Sequence, residues 1–253
     1  MPAMDYSRVA HLYDAYARAD FDIPFFLEEA RGASAVLELM AGTGRVSIPL
    51  AEAGVPLTCV DSSPEMLALL RHKLDEKGLS AAILEMDVSD STVEGPFDLV
   101  ILPFHSFSEI LDLEDQRRAL RGIRSCLADG GRFICPLHNP PIRLRTVDGR
   151  PLLRGRYPLP DGTLFLWAYE ERAPGSPIVS GAQFYEIYDA GGALREKTFV
   201  DLRFYLHEPA SFRTLVESEG FEVRSLYGDY ARAPFEEATS PVMIWVLEKA
   251  GAG

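Results

Sequence analysis

The sequence predicts an α/β fold, a doubly wound and mostly parallel sheet interrupted by an inserted antiparallel β-sheet. Three observations carry that prediction. Between Ala35 and Asp61 an apolar run, a glycine turn, a helical stretch and a second apolar run succeed one another, the order of a βαβ unit. Strand-length apolar runs then alternate with helix-length segments as far as Leu137, and strands covered on both faces lose polar alternation. Residues 143–206 break this rhythm with β-like runs joined by hairpin-length turns, which imply antiparallel pairing.

Taken in order, residues 4–18 fit an amphipathic helix with Val9, Leu12, Tyr13 and Tyr16 on one face. Ala35 to Met40 reads as the first strand, and Arg45 to Ala53 as a helix stopped by Gly54. The second strand, Val55 to Val60, ends abruptly on Asp61. Ser63 caps the next helix, Pro64 suits its first position, and Gly78 closes it. Ala81 to Met86 and Pro96 to Pro103 are the third and fourth strands. A helix from Leu113 to Leu127, capped by Asp112, leads through Asp129-Gly130-Gly131 into a fifth strand, Arg132 to Leu137. The inserted runs are Leu152–Leu159, Thr163–Glu171, Val179–Tyr188 and Leu194–Leu206, separated by PDG, APGSP and AGG turns. A helix from Glu208 to Glu219 and strands at Phe221–Tyr227 and Val242–Glu248 complete the chain.

Composition narrows the partners. The 253 residues suit one domain, or one domain with a sizeable insertion. No apolar run reaches the roughly 18–20 residues of a membrane span, so no membrane partner is expected. The stretch to Asp20 has neither a basic n-region nor an apolar h-region, and Cys59, Cys126 and Cys135 lack metal spacing. These features predict a cytoplasmic protein with buried, reduced thiols. The net charge of −13 argues against nucleic acid, whose recognition rests on clustered Lys and Arg. The one basic cluster, Arg143, Arg145, Arg150, Arg154 and Arg156, is read as a solvated hairpin surface.

The glycine turn identifies the ligand class. Two glycines let backbone approach a ligand, and an acid ending the second strand can accept both hydroxyls of a ribose. A dinucleotide fingerprint needs a third glycine three residues after the second, and that position is Ser47. Glu38, inside the first strand, would repel a pyrophosphate. A cationic, phosphate-free adenosine ligand meets neither objection.

Glu38-Leu39-Met40-Ala41-Gly42-Thr43-Gly44 resembles the glycine-rich motif of class I S-adenosylmethionine-dependent methyltransferases, with Ala41 where the family usually has glycine. The resemblance covers about residues 5–137 and 208–249, and 138–207 only loosely. It implies a Rossmann-like, seven-stranded, mostly parallel sheet with a reversed antiparallel edge, and S-adenosyl-L-methionine as cofactor. The turn from Glu38 through Gly44 would hold the donor, Asp61 and Ser62 the ribose, and Asp87 the adenine amino group. Met66 and Val88 would cover the adenine faces, with core packing as their alternative role and a helix N-cap as that of Asp87. Leu102, Pro103, Phe104 and Phe107 would form the facing wall. Tyr13-Asp14-Ala15-Tyr16 resembles the N-terminal helix that closes over the cofactor in small-molecule members, so Tyr13 or Tyr16 would cap the methyl donor.

His105-Ser106-Phe107 stands where glycine N-methyltransferase-like enzymes carry Asn-Ser-Phe. Asn139-Pro140-Pro141 resembles the Asn-Pro-Pro-aromatic motif of adenine and amide methyltransferases. It follows the fifth strand rather than the fourth, with Ile142 in place of the aromatic, and is read as a strand end. Methyl transfer needs alignment above all, and a hydroxyl or carbon acceptor also needs a base. His105, Tyr13 and His138 are the candidates to act as that base or to orient the acceptor. Residues 1–34 would form a helical cap, 35–142 and 208–253 the cofactor-binding unit, and 143–207 a substrate or dimerisation unit. The expectation is a methyltransferase for a small-molecule acceptor, an amine among the candidates, as monomer or homodimer. A non-catalytic sensor of the same ligand and an NAD(P) oxidoreductase are the competing readings.

Overall fold

In a computed structural model, which describes residues 4–90 and 93–251, the chain forms two sheets. The ends of the expected cap and terminal unit, residues 1–3 and 252–253, lie outside the described residues. The larger sheet contains β1 (Val36–Leu39), β2 (Leu57–Asp61), β3 (Ala82–Glu85), β4 (Phe97–Ile101), β5 (Leu127–His138), β10 (Phe221–Tyr227) and β11 (Val242–Lys249). Their spatial order is β10-β11-β5-β4-β1-β2-β3, with β11 antiparallel to both neighbours and the remaining pairs parallel. The smaller sheet is the antiparallel meander β6 (Leu152–Leu159), β7 (Gly162–Arg172), β8 (Ile178–Asp189) and β9 (Leu194–Tyr205).

Burial explains the apolar strands. Val36, Leu37 and Leu39 are buried beside the equally buried Leu99, Val100 and Ile101 of β4, so both strands sit mid-sheet with covered faces. The helices start where polar caps allow. In α4 (Pro64–Lys77) Ser63 Oγ accepts from the backbone N–H of Met66 at 3.3 Å, and left-handed Gly78 ends the helix. In α5 (Leu113–Cys126) Asp112 Oδ1 accepts from Glu114 and Asp115. The short α3 (Ser47–Glu52) lies between β1 and β2, and α7 (Pro209–Ser218) precedes β10.

Several elements differ from the sequence expectation. The single N-terminal helix is a 3-10 turn (Tyr6–Val9) followed by α1 (Ala10–Tyr16), with Asp5 capping the turn through Ser7. A further helix, α2 (Ile23–Glu29), follows. The fifth strand begins at Leu127, because Asp129–Gly131 forms an irregularity inside the β4–β5 pairing rather than a preceding turn. After Asn139 the prolines open a helical turn, α6 (Pro140–Arg143). The basic cluster is only partly a solvated surface. Glu170, 4% exposed, is clamped between Arg143 and Arg154, so two of the five arginines serve a buried carboxylate.

The smaller sheet packs on the N-terminal helix. Leu164, Leu166, Tyr185 and Val200 share a core with Met4, Val9 and Leu12.

The glycine turn is constrained twice over. Gly44 has φ +88°, and a Cβ there would lie 2.4 Å from Leu70 Cδ1 of α4, whereas at Gly42, φ +58°, nothing lies within 4 Å. Gly44→Ala is therefore expected to destabilise the protein by about 2–4 kcal/mol, strain plus overpacking. Gly42→Ala should lose about 1–2 kcal/mol from strain alone. Urea denaturation of both variants measures the difference.

Candidate active site

The carboxyl ends of β1, β2, β3 and β4 open into a cleft of about 740 Å³, a size suited to a small molecule. It sits where strand order reverses between β1 and β4, the place at which open α/β sheets bind ligands. The other side of the cleft is closed by residues 4–7 and Tyr13, and Arg203 reaches its rim from β9.

The floor is the glycine turn. Met40 adopts φ +55°, and the N–H of Gly44 donates to Ala41 O at 3.0 Å, closing the bend. Asp61 ties this bend to the start of α4. Its Oδ2 accepts from Gly42 N at 2.8 Å and its Oδ1 from Ser63 N at 2.9 Å. Burial raises the Asp61 carboxyl above its ordinary pKa, while the backbone donors oppose the rise. Beneath the turn, Glu38 is 2% exposed and accepts from Ser47 Oγ at 2.6 Å. Burial pushes the Glu38 carboxyl up to about 8. Ser47, which stands where a dinucleotide fingerprint has glycine, is thus the hydrogen-bond partner of this acid; protonated and buried, Glu38 does not supply the repulsion of a pyrophosphate expected from the sequence.

The N-terminal wall is pinned by two polar contacts. Thr43 Oγ1 donates to Asp14 Oδ1 at 2.6 Å, and Lys73 of α4 holds the other Asp14 oxygen at 2.7 Å. Arg45 forks onto both oxygens of fully buried Asp22 at 2.6 Å and donates to Ala19 O at 2.7 Å. Its guanidinium lies 4.5 Å from the centre of the Phe104 ring, binding this wall to the one after β4.

Beyond β4, Phe104 and His105 both adopt left-handed conformations, φ +60° and +66°. Such residues cost about 1–2 kcal/mol each and persist where surrounding structure enforces them. The His105 ring stacks on His138 at 3.9 Å, behind the cleft lining, and its Nδ1 has no partner among the described residues. Burial, with the charges of Arg143 and Arg45, lowers the His105 pKa to about 4. Burial and the neighbouring His105 and Arg143 hold His138 well below the ordinary imidazole value. A lowered pKa makes each ring a weak base, poorly suited to taking an acceptor's proton.

The remaining side carries an acid. Glu109, in the 3-10 turn Ser106–Glu109, lines the cleft and accepts from Tyr6 Oη at 3.1 Å. Burial lifts its carboxyl to about 7, the Tyr6 hydrogen bond opposes the rise, and Asp61 adds to it. The Tyr13 ring meets Tyr6 edge-on at 5.7 Å and Tyr16 at 5.2 Å. Tyr16 is outside the lining and shares a hydrogen bond with Tyr185 at 3.1 Å.

Of the residues singled out in the sequence, Tyr13, Gly42, Asp61, Ser62, Met66, Asp87, Val88 and Phe104 line the cleft. Glu38, Ala41, Thr43, Gly44, Leu102, Pro103 and Phe107 lie behind it as support, and His105 and His138 also stand outside it. Met40 of the glycine-rich motif also lines it, and Tyr6 and Glu109 do so without having been anticipated. For Glu109 the available signal was an acid just past the fourth strand end.

A glycine-turn βαβ unit, an acid ending the second strand and a cleft on the carboxyl strand ends define a Rossmann-like, nucleotide-binding type of α/β fold. A family profile described as "Methyltransferase domain" matches residues 36–131. The chain is 32% identical over 222 residues to a cypemycin N-terminal methyltransferase of Streptomyces sp, covering 85% of this chain and 82% of that one. It is 28% identical over 226 residues to a glycine/sarcosine N-methyltransferase of Parasynechococcus marenigrum (strain WH8102), covering 87% and 75%. Its fold matches an S-adenosylmethionine-dependent methyltransferase from Clostridium acetobutylicum ATCC 824 with a TM-score of 0.81 at 19% identity, over 97% of this chain and 99% of that one. The chain belongs to the S-adenosylmethionine-dependent methyltransferases. Among the described residues, no helix is long and apolar enough to cross a membrane.

Two outcomes are expected. Asp22→Ala leaves the Arg45 charge, 12% exposed, without its partner and should cost about 3–5 kcal/mol in chemical denaturation. Glu38 is protonated in the folded state up to about 8 but only to its ordinary 4.5 when unfolded. Its contribution is therefore full below pH 4.5 and is lost as pH rises through 8. Glu38→Gln should flatten the fall in urea midpoint across that window; an unchanged slope would contradict the assignment.

Proposed function

We propose that this methyltransferase transfers a methyl group to the nitrogen of a small-molecule amine. The carrying observation is the charge of the cleft: Asp5, Asp61, Asp87, Glu109, Asp112 and Asp115 are among its lining acids, against Arg118 and Arg203. Arg118 is itself engaged by Asp90 and Asp115. Such a lining favours a sulfonium donor and a basic acceptor over anionic ligands. The name of the glycine/sarcosine N-methyltransferase relative, which refers to methylation of nitrogen, supports the same acceptor atom.

The residues present fit the cofactor. Gly42 offers an open backbone surface at the cleft floor, Asp61 has lone pairs beyond its two backbone bonds, and Met66 and Val88 provide apolar cover near Asp87. In this reading Gly42, Asp61 and Ser62 hold the ribose side, Asp87 with Met66 and Val88 the adenine side, and Tyr13 caps the reacting end. When bound, S-adenosylmethionine supplies an activated methyl group on a positively charged sulfur. The protein's own task is alignment, which can contribute roughly 7–11 kcal/mol, and exclusion of water by the Tyr6–Tyr13 wall. Residues 1–34 serve as cap, 35–142 and 208–253 as the cofactor unit, and 143–207 as the acceptor-side unit.

A panel of amines, phenols and alcohols, read by methylated product, tests the acceptor. Products confined to the oxygen acceptors would overturn this reading. Asp61→Ala should weaken S-adenosylmethionine binding by roughly 1.5–3 kcal/mol, the scale of hydrogen bonds to a charged group. Calorimetry that finds an unchanged dissociation constant would remove Asp61 from the ribose.

A further inference from the structure

We infer that Glu109, held by Tyr6, is the residue that receives the acceptor's amine in this cleft and takes its proton before methyl transfer. The inference rests on the amine reading above and adds the residue and the protonation step.

The geometry is specific to this acid. Glu109 follows the fourth strand end by way of Phe104 and His105, both held left-handed, and the following 3-10 turn presents it to the cleft. One oxygen is fixed by the Tyr6 hydroxyl at 3.1 Å, and the described residues provide no hydrogen-bond donor for the other. Tyr6 comes from the N-terminal wall, so the carboxylate is positioned across the cleft rather than by its own turn. The titratable groups facing it are Tyr6, Tyr13, Tyr16 and Asp61, with Arg203 on the same lining. The other cleft acids are differently committed. Asp61 accepts two backbone N–H groups and is assigned above to the ribose, Asp5 and Asp112 cap helical turns, and Asp90 and Asp115 pair with Arg118. The neutral, enclosed histidines stand behind the lining.

An amine that arrives protonated gives such a group its task. An alkylamine reaches the protein as an ammonium ion, which attracts a carboxylate but has no lone pair to react. Transfer of one N–H proton to Glu109 breaks that bond and leaves the electron pair on nitrogen. Nitrogen then takes the methyl carbon, forming an N–C bond, while the C–S electron pair stays with sulfur, which becomes a neutral thioether. The product forms as a methylated ammonium ion, and Glu109 returns its proton to water when the cleft opens. A carboxyl raised towards neutrality by burial is matched to this exchange.

The test compares wild type with E109Q, using amines from the panel whose own pKa values lie above and below the assay pH. S-adenosylmethionine affinity is measured by calorimetry alongside. For an amine that arrives protonated, E109Q should lower kcat at least 100-fold, with the cofactor Kd within threefold. For an amine that arrives neutral, the loss should shrink to tenfold or less, a difference that a merely structural role would not produce. Y6F should show a smaller loss of the same pattern. Equal losses on both amine classes, or a cofactor Kd weakened as much as turnover, would overturn the inference. So would E109Q activity within threefold of wild type on protonated amines, which would leave the amine reading intact. A wild-type protein that methylates only phenols or alcohols would overturn both.

Discussion

Arg45 holds the site together. It is the first residue after the glycine turn, and its guanidinium grips buried Asp22 with both nitrogens, takes Ala19 O, and lies over Phe104. Three segments that meet nowhere else in sequence are thereby fixed around one cation. Taking such a pair out of water is expensive, and it is favourable here because the fork satisfies both carboxylate oxygens and the aromatic face covers the remaining side. The cleft is the space left between the parts that Arg45 positions.

In and beneath that space, three acidic side chains do different jobs according to their surroundings. Glu38 is sealed beneath the turn, outside the cleft lining, and bonded to Ser47. Asp61 is presented to the cleft with backbone donors that keep its charge affordable. Glu109 has a tyrosine for its partner and a raised pKa. Desolvation acts on all three in the same direction; the number and kind of donors separates them.

The parallel core was legible in the sequence because its strands are covered on both faces and its helices carry caps at their starts. The sequential run Glu38–Gly44 and the acid at Asp61 were legible for a related reason: their geometry is local and leaves a spacing behind. The Arg45–Asp22 fork, the Tyr6–Glu109 contact and the Glu170 clamp were not, since each joins residues that only the fold brings together. The break between the first 3-10 turn and α1 was hidden for another cause. The apolar periodicity of residues 4–18 continues through it, while Val9 at the junction departs from helical geometry, φ −129°. His105 and His138 attracted interest by type and strand-end position, yet burial against one another removes both from the lining.

The smaller sheet shares its core with the N-terminal helix: Leu12 and Tyr16 pack with Leu166, Tyr157 and Tyr185, and Arg8 donates to Phe199 O on the edge strand. The N-terminal cap and the meander therefore share one core, and both reach the cleft, through Tyr6 and Tyr13 on one side and Arg203 on the other. A substitution on β7 or β8 at Leu166 or Tyr185 thus acts on the packing of a cleft wall without touching a lining residue.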